Sequence, residues 1–394
     1  MGFVERICLV ALPSPFLIED KVQPPLGVLY VAASLLDKGY EVVVHDGKIE
    51  EIPEGYDVYG ISATSPQFQL AEQARSLIKR RNGKTRVIIG GPHAGSDHES
   101  CKAFDGVVIG DGEVAAFLAV GYKTKLVECP IERLYHPARH LIDLKSYKYK
   151  IDGRLATTIM TSRGCPYSCA FCCQLNRFNT FPSEFVREEL MDLINNYGYK
   201  AFMFFDDLFI LQKQRLRDIL HGIEDIIWRG FSRADAIVRN GVDMLKFMAD
   251  SGCREIGMGL ETGSDKILKI VNKKETIDTY KKAIEMIHSQ GIRIKGFLIV
   301  GLPSESPETI QETCDFLEAV KLDDLDISIY QPLKKSHVYD NKQQYDIFWD
   351  NIDLGKSWYK GTPGEYTAQI RTSALSSDDI LKARDMLEAR FKKW

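Results

Sequence analysis

Cys165, Cys169 and Cys172 stand in a C-x3-C-x2-C spacing within Thr161-Ser162-Arg163-Gly164-Cys165-Pro166-Tyr167-Ser168-Cys169-Ala170-Phe171-Cys172-Cys173, directly after an apolar, strand-like run. Three thiolates so close in sequence can converge on one soft metal centre. A fully ligated iron–sulfur cluster usually takes four cysteines. Three leave one iron with an open position, which suits a cluster that binds a substrate or cofactor rather than one that only carries electrons. The triplet also fits half of a zinc site or a set of buried thiols. A zinc site would want a second C-x2-C or H-x3-H pair, and no such pair is expected here. Cys8, Cys101, Cys129, Cys253 and Cys314 are scattered singly and read as small core residues. Adjacent residues on a tight loop rarely point at the same iron, so Cys173 reads as a bystander.

This spacing and its flanks resemble the radical S-adenosylmethionine (radical SAM) enzymes. The resemblance implies a [4Fe–4S] cluster on Cys165, Cys169 and Cys172. Its unique iron would chelate the methionyl amine and carboxylate, and its electron would cleave the cofactor to a 5′-deoxyadenosyl radical. Phe171 would lie near the adenine, or simply shield the cluster from water. Phe204-Phe205-Asp206-Asp207 ends a strand, and the resemblance sets Asp206 and Asp207 on the methionyl ammonium; paired carboxylates there also serve as helix N-caps. Ser232-Arg233-Ala234-Asp235 reads as the third strand. Arg233 suits the methionyl carboxylate, because guanidinium binds carboxylate in a fork, and its alternative is an ion pair. Glu261, within Gly257-Met258-Gly259-Leu260-Glu261-Thr262-Gly263, is implied to accept from the ribose hydroxyls. Lys295-Gly296-Phe297-Leu298-Ile299-Val300-Gly301-Leu302-Pro303 resembles the adenine-binding segment, with Gly301 at its turn. Family members often read Pro-x-x-Gly-Thr after the sixth strand, where this chain has Pro332-Leu333-Lys334-Lys335-Ser336-His337. That change makes Tyr330, Lys334, His337 and Trp358 candidate substrate contacts, against an ordinary reading as solvated loop or core packing.

A second set of loops lies in the first third of the chain. Pro24-Pro25-Leu26-Gly27 opens a helix, and Gly60-Ile61-Ser62-Ala63-Thr64 ends a strand. Gly90-Gly91-Pro92-His93 and Gly110-Asp111-Gly112-Glu113 end two more. Together they resemble the cobalamin-binding domain at the N-terminus of many radical SAM enzymes. Glycines let the backbone approach a large flat corrin, and Ser62 and Thr64 offer hydrogen bonds to its tail or amide arms. By the resemblance, Ser62, Thr64, Gly90, Gly91, His93, Gly110, Gly112 and Glu113 are the cobalamin-facing residues. The usual Asp-x-His-x-x-Gly sextet is missing: neither His45 nor His93 has an aspartate two residues before it. A cobalamin here is therefore expected to bind without a histidine lower ligand. The alternative is a Rossmann-like domain that has lost cobalamin and only packs.

The elements that must position these residues follow from periodicity. Strand-like runs at Arg6–Leu12, Glu41–His45, Asp57–Ser62, Arg86–Ile89 and Gly106–Ile109 alternate with helices at Leu26–Asp37 and Phe68–Arg81. This predicts a doubly wound, Rossmann-like parallel sheet over 1–120. Residues 121–153 read as a linker. Over 154–335, strands are expected at Ala156–Thr161, Ala201–Phe205, Phe231–Asp235, Glu255–Gly259, Arg293–Val300 and Leu325–Tyr330. Helices between them, including Gln214–Trp228, give an α/β partial (β/α)6 barrel with chemistry on the loops after strands. Residues 336–394 form an appendage.

A chain of 394 residues, 44% apolar and 27% charged, is globular and large enough for two domains. Net charge −4 gives no electrostatic case for nucleic acid or an anionic membrane. No stretch approaches the ~20 apolar residues of a membrane span, and no signal peptide is recognised. Nine cysteines without an export signal point to a reducing cytoplasm. The two resemblances together imply a cobalamin-dependent radical SAM methyltransferase that acts on an unactivated carbon of a small molecule or peptide. Its electrons would come from a flavodoxin- or ferredoxin-type donor. A cyclase or other tailoring enzyme without net methyl transfer is the alternative.

Overall fold

Short runs of β-branched residues alternate with helices along the first third of the chain, and each run becomes a strand of one parallel sheet. The computed structural model describes all residues except 1–4, 16, 18, 114–119, 121–124, 130–132, 174, 176, 354–365 and 393–394. Two units are separable, the first built mainly on residues up to Lys148 and the second on those from Tyr149. The first holds β1 (Arg6–Ala11), β2 (Glu41–Asp46), β3 (Val58–Ser62), β4 (Arg86–Gly90), β5 (Gly106–Gly110) and β6 (Leu126–Cys129). They lie in the order β2-β1-β3-β4-β5-β6, every neighbour parallel. Cys8, Val10, Tyr59 and Ile61 pack on one face with Phe68, Ala71 and Ile78 of the helix α2 (Phe68–Arg81). Ile7, Leu9, Val58 and Ile88 pack on the other with Val28, Ala32 and Leu35 of α1 (Leu26–Asp37). Burial on both faces is why these strands read as continuous apolar runs. The strand order reverses between β1 and β3, and doubly wound sheets bind ligands beyond the carboxyl ends of strands at such a point. A short helix, α3 (Pro92–Ser96), follows β4 directly.

In the second unit, β7 (Lys150–Ile151) pairs antiparallel with β8 (Arg154–Ile159). A two-residue ribbon, β9 (Ser162–Arg163) against β10 (Asn179–Thr180), then closes a long loop. After α4 (Ser183–Asn195) come β11 (Ala201–Phe204), α5 (Lys213–Leu220), β12 (Ile227–Ser232), α6 (Ala234–Asn240) and α7 (Val242–Asp250). These are followed by β13 (Cys253–Glu261), α8 (Asp265–Ile270), α9 (Ile277–His288), β14 (Arg293–Val300), α10 (Pro307–Ala319) and β15 (Asp324–Ile329). The six long strands β8, β11, β12, β13, β14 and β15 are parallel neighbours in chain order, a half-barrel edged by β7. α11 (His337–Asp340) and α12 (Ser377–Phe391) complete the chain.

Two features differ from expectation. The stretch read as a linker supplies β6 to the first sheet and β7 to the second. Both are short edge strands of four and two residues, too short to make a periodic signal. The third barrel strand lies earlier than Phe231–Asp235, at Ile227–Ser232, and the preceding helix stops at Leu220 rather than Trp228. Trp228 is fully buried inside the sheet between β11 and β13. An Ile-Ile-Trp run fits a helix or a strand alone, and its burial in the sheet decides. Arg233 therefore stands just beyond the strand, as the N-cap residue of α6.

Candidate active site

The cysteine loop follows β8 and is fastened at its base before any cysteine is reached. Asp206, just past β11, accepts from Thr161 N at 2.6 Å, Thr161 Oγ1 at 2.5 Å and Ser162 Oγ at 2.6 Å. Arg215 of α5 donates to Thr161 Oγ1 and to the carbonyls of Thr161 and Phe181. Burial pushes the Asp206 carboxyl up, against these hydrogen bonds. Asp206 thus faces Thr161 and Ser162, not the open site suggested for it: its oxygens are taken up in holding the β9–β10 ribbon.

Cys165, Cys169 and Cys172 line one cavity of about 410 Å³ with Phe171, Asp207, Arg233, Glu261 and Lys273. Desolvation pushes the Cys172 thiol up to about 12, and the neighbouring Cys169, Asp207 and Cys165 add to the rise. The Cys165 thiol is raised chiefly by desolvation as well, with Asp207 and Cys169 contributing. Asp207 makes no hydrogen bond or ion pair with a described residue, and desolvation alone raises its carboxyl. The Cys165 and Cys172 thiols and the unpartnered Asp207 carboxyl disfavour their own anionic forms and call for positive partners. Metal cations suit the sulfurs and an ammonium suits Asp207. Among the described residues, no three His, Cys, Asp or Glu side chains converge on a single-ion site. A cube differs from a single ion in that each thiolate binds a separate iron. The reading that no second pair exists is corrected by His136 and His140, which have H-x3-H spacing. Cys173 also lines the cavity, on the side of Lys335 and Asp340.

Arg233 is held by the protein on every nitrogen. Nε donates to Asp235 at 3.0 Å, Nη1 to the Cys169 sulfur at 3.6 Å and Nη2 to the Lys273 carbonyl at 2.6 Å. Glu275 pairs with Nη2 at 3.3 Å, and the guanidinium lies 3.9 Å over the Tyr167 ring. Glu261 ends β13 beyond a bulge, in the left-handed region at φ 62°, a strained placement for a non-glycine residue. Its carboxylate binds Lys273 Nζ at 2.6 Å. Lys273, Glu275 and Tyr167 escaped sequence reasoning. Asn272-Lys273-Lys274-Glu275 looks like a solvated charge run, yet Lys273 and Glu275 are buried.

The other predicted barrel residues are dispersed. Gly301, at φ 91°, sits where a Cβ would come within 2.6 Å of Ile370, so it allows the C-terminal segment to close on the loop. Its N–H binds the buried Glu305 carboxyl at 2.5 Å. Tyr330 is buried, Lys334 is exposed, and exposed His337 bonds Tyr345 Oη at 2.8 Å. Trp358 lies outside the described residues.

In the first unit, Ser62, Gly90 and Gly110 are the last residues of β3, β4 and β5. Gly91, at φ 91°, passes so close to β3 that a Cβ would meet Ser62 Oγ at 2.8 Å. Ser14 Oγ, in the loop after β1, is buried with no partner among the described residues, which fits a polar group arriving beyond the strand ends. Four residues do not fit as expected. Thr64 is engaged by Gln67 in a capping box. His93 is buried, its ring nitrogens bonded to Ser65 Oγ at 3.1 Å and Ser100 Oγ at 2.9 Å and its ring packed on Phe68. Glu113 is buried, its carbonyl bonded by Ser34 of α1, and a Cβ on Gly112 would strike Val31 of the same helix.

Residues 159–317 match the model of the Radical SAM superfamily, and residues 20–118 match that of the B12 binding domain. The chain is 29% identical to a Pyrococcus horikoshii protein named an uncharacterized methyltransferase, over 91% of this chain and 86% of the relative. It is 23% identical to the anaerobic magnesium-protoporphyrin IX monomethyl ester cyclase of Cereibacter sphaeroides, over 82% of this chain and 61% of that one. Among solved structures, the cobalamin-dependent S-adenosylmethionine radical enzyme OxsB with aqua-cobalamin bound superposes with a TM-score of 0.68 and 21% identity, over 86% of this chain and 56% of OxsB. The radical S-adenosylmethionine methyltransferase TsrM from Kitasatospora setae gives 0.68 and 16%, over 89% of this chain and 79% of TsrM. The chain spans less than two thirds of the lengths of the cyclase and of OxsB. The two structural likenesses speak for the fold.

Proposed function

We propose that this chain, which belongs to the radical SAM superfamily and carries a B12 binding domain, is a cobalamin-dependent methyltransferase acting on an unactivated carbon of a small-molecule or peptide substrate. The observation that carries the reading is the single cavity where three thiols meet an unpartnered carboxyl at the loop ends of a half-barrel. When bound, the cluster supplies the electron that cleaves S-adenosylmethionine to a carbon-centred radical, and cobalamin supplies the methyl group. Cys165, Cys169 and Cys172 would hold the cluster. Asp207 would take the methionyl ammonium as its counter-ion. Glu261, fixed by Lys273, would accept from the ribose hydroxyls, and Phe171 would wall the adenosyl group from water. In the first unit, Ser14, Ser62, Gly90, Gly91 and Gly110 would face the corrin. With both ring nitrogens of His93 taken by Ser65 and Ser100, a cobalamin would be held without His93 as a ligand.

No helix among the described residues is long and apolar enough to cross a membrane. We place the enzyme in a reducing cytoplasm, with a flavodoxin- or ferredoxin-type protein as its electron source. The cyclase relative favours a second reading, radical chemistry without methyl transfer. Anaerobic turnover with S-adenosylmethionine labelled in its methyl group, followed by mass analysis of the product, separates the two. Methyl transfer requires the label in the product. Formation of 5′-deoxyadenosine with unlabelled product would establish the other.

A further inference from the structure

We infer that Arg233 is a positioning residue for the cluster: it donates to the Cys169 sulfur and clamps the cysteine loop, and it does not bind the methionyl carboxylate of S-adenosylmethionine. The inference rests on the radical SAM reading of the cavity.

A guanidinium recognises a carboxylate through two adjacent donors. Here Nε, Nη1 and Nη2 each already meet a protein acceptor, at 3.0, 3.6 and 2.6 Å, and Glu275 pairs with Nη2 as well. A carboxylate fork would therefore meet nitrogens that each already serve a protein acceptor. The side chain is 5% exposed and its ion-pair partner Glu275 is 0% exposed, so the group is fixed within the protein. Glu275 also accepts from Asp235 N at 2.9 Å, which locks the start of α6 to the segment after α8.

The start of α6 and the segment after α8 together grip the cysteine loop at successive residues. Tyr167 lies over the guanidinium and donates its hydroxyl to Asp235 at 3.1 Å. Asn272 Nδ2 donates to the Ser168 carbonyl at 2.8 Å, and Ala170 N donates to the Val271 carbonyl at 2.8 Å. Asn272 and Lys274 both adopt left-handed backbone, φ 53° and 57°, strain that a merely connecting turn has no need to keep. Ser168 and Ala170 are therefore docked on Asn272 and Val271, and Tyr167 and Cys169 on Asp235 and Arg233, with Arg233 at the centre of the joint. A cationic donor beside a ligand sulfur stabilises the more negative, reduced cluster and raises its potential.

The test uses full-length Arg233→Gln and Arg233→Lys beside the wild type. In the apo proteins, amide hydrogen exchange over residues 167–170 is expected to quicken in both variants. In the anaerobically reconstituted proteins, the midpoint potential measured without S-adenosylmethionine is expected to fall in Arg233→Gln, and less in Arg233→Lys. The dissociation constant for S-adenosylmethionine is expected to change by less than about threefold. Unchanged exchange and potential, with affinity for S-adenosylmethionine weakened about tenfold or more, would overturn the inference. Failure of the wild type itself to take up iron would defeat the radical SAM reading instead, while the exchange comparison would still decide the clamp.

Discussion

Cys172 and Cys173 are adjacent in sequence yet differ in surroundings, one facing the other thiols and Asp207, its neighbour near Lys335 and Asp340. Alanine at Cys165, Cys169 or Cys172 should abolish retained cluster iron, whereas Cys173→Ala should keep it. Iron analysis after gel filtration checks this, and loss of iron in Cys173→Ala would reverse the assignment. Glu305 offers a pH test. Burial pushes its carboxyl from 4.5 up to about 8, opposed by hydrogen bonds from the Gly301 and Leu302 N–H groups. The folded chain then holds a proton that the unfolded chain releases, so stability falls as pH rises through that window. Glu305→Gln keeps an acceptor for Gly301 and has no proton to lose. Relative to wild type it should gain up to a few kcal/mol between about pH 5 and pH 8. Parallel melting curves for the two proteins across that range would remove Glu305 from the account.

At the scale of elements, the cysteine loop depends on a ribbon of only two residue pairs, which one carboxylate fastens. Asp206→Ala leaves the Thr161 and Ser162 donors and Arg215 without their anion, and should cost about 3 kcal/mol. Proteolysis within residues 164–178 should accelerate in that variant; unaltered cleavage and stability would show that the ribbon closes without it. In the first unit, Gly91→Ala combines a left-handed backbone with a collision against Ser62 and Ala63. A loss of about 1–3 kcal/mol in thermal unfolding is expected. A variant as stable as wild type would show that the β3 and β4 loops yield freely.

The same elements show what was legible in the sequence. Leu26–Asp37 and Phe68–Arg81 fall where the sequence places them, the first because it is apolar and buried on most of its surface, the second because it buries one apolar stripe. The cysteines, Asp207, Phe171 and Glu261 meet in one cavity because each stands just past a barrel strand or on the loop that follows one, a position readable from strand ends. What escaped reading depends on partners distant in sequence. Nothing local distinguishes Asp206, which faces Thr161, from Asp207, which faces the cavity. Nothing in Asn272-Lys273-Lys274-Glu275 announces that Lys273 will be buried against Glu261. His93 follows two glycines in an exposed-looking loop, and only the fold folds it inward between two serines.

At the scale of the whole molecule, one chain holds two candidate cofactor sites, each built beyond the carboxyl ends of a parallel sheet. The doubly wound sheet supplies glycine-lined loops and the unpartnered Ser14 hydroxyl. The half-barrel supplies the thiols and the charge network beneath them. Because the two sites use different residues in different units, they should load independently. Metal analysis of the full chain after anaerobic reconstitution with iron, sulfide and hydroxocobalamin, then gel filtration, tests this directly. About four irons and one cobalt per chain are expected, with iron lost and cobalt kept when Cys165, Cys169 and Cys172 are all alanine. Absence of retained cobalt in the wild type, or iron undiminished in the triple variant, would contradict the account.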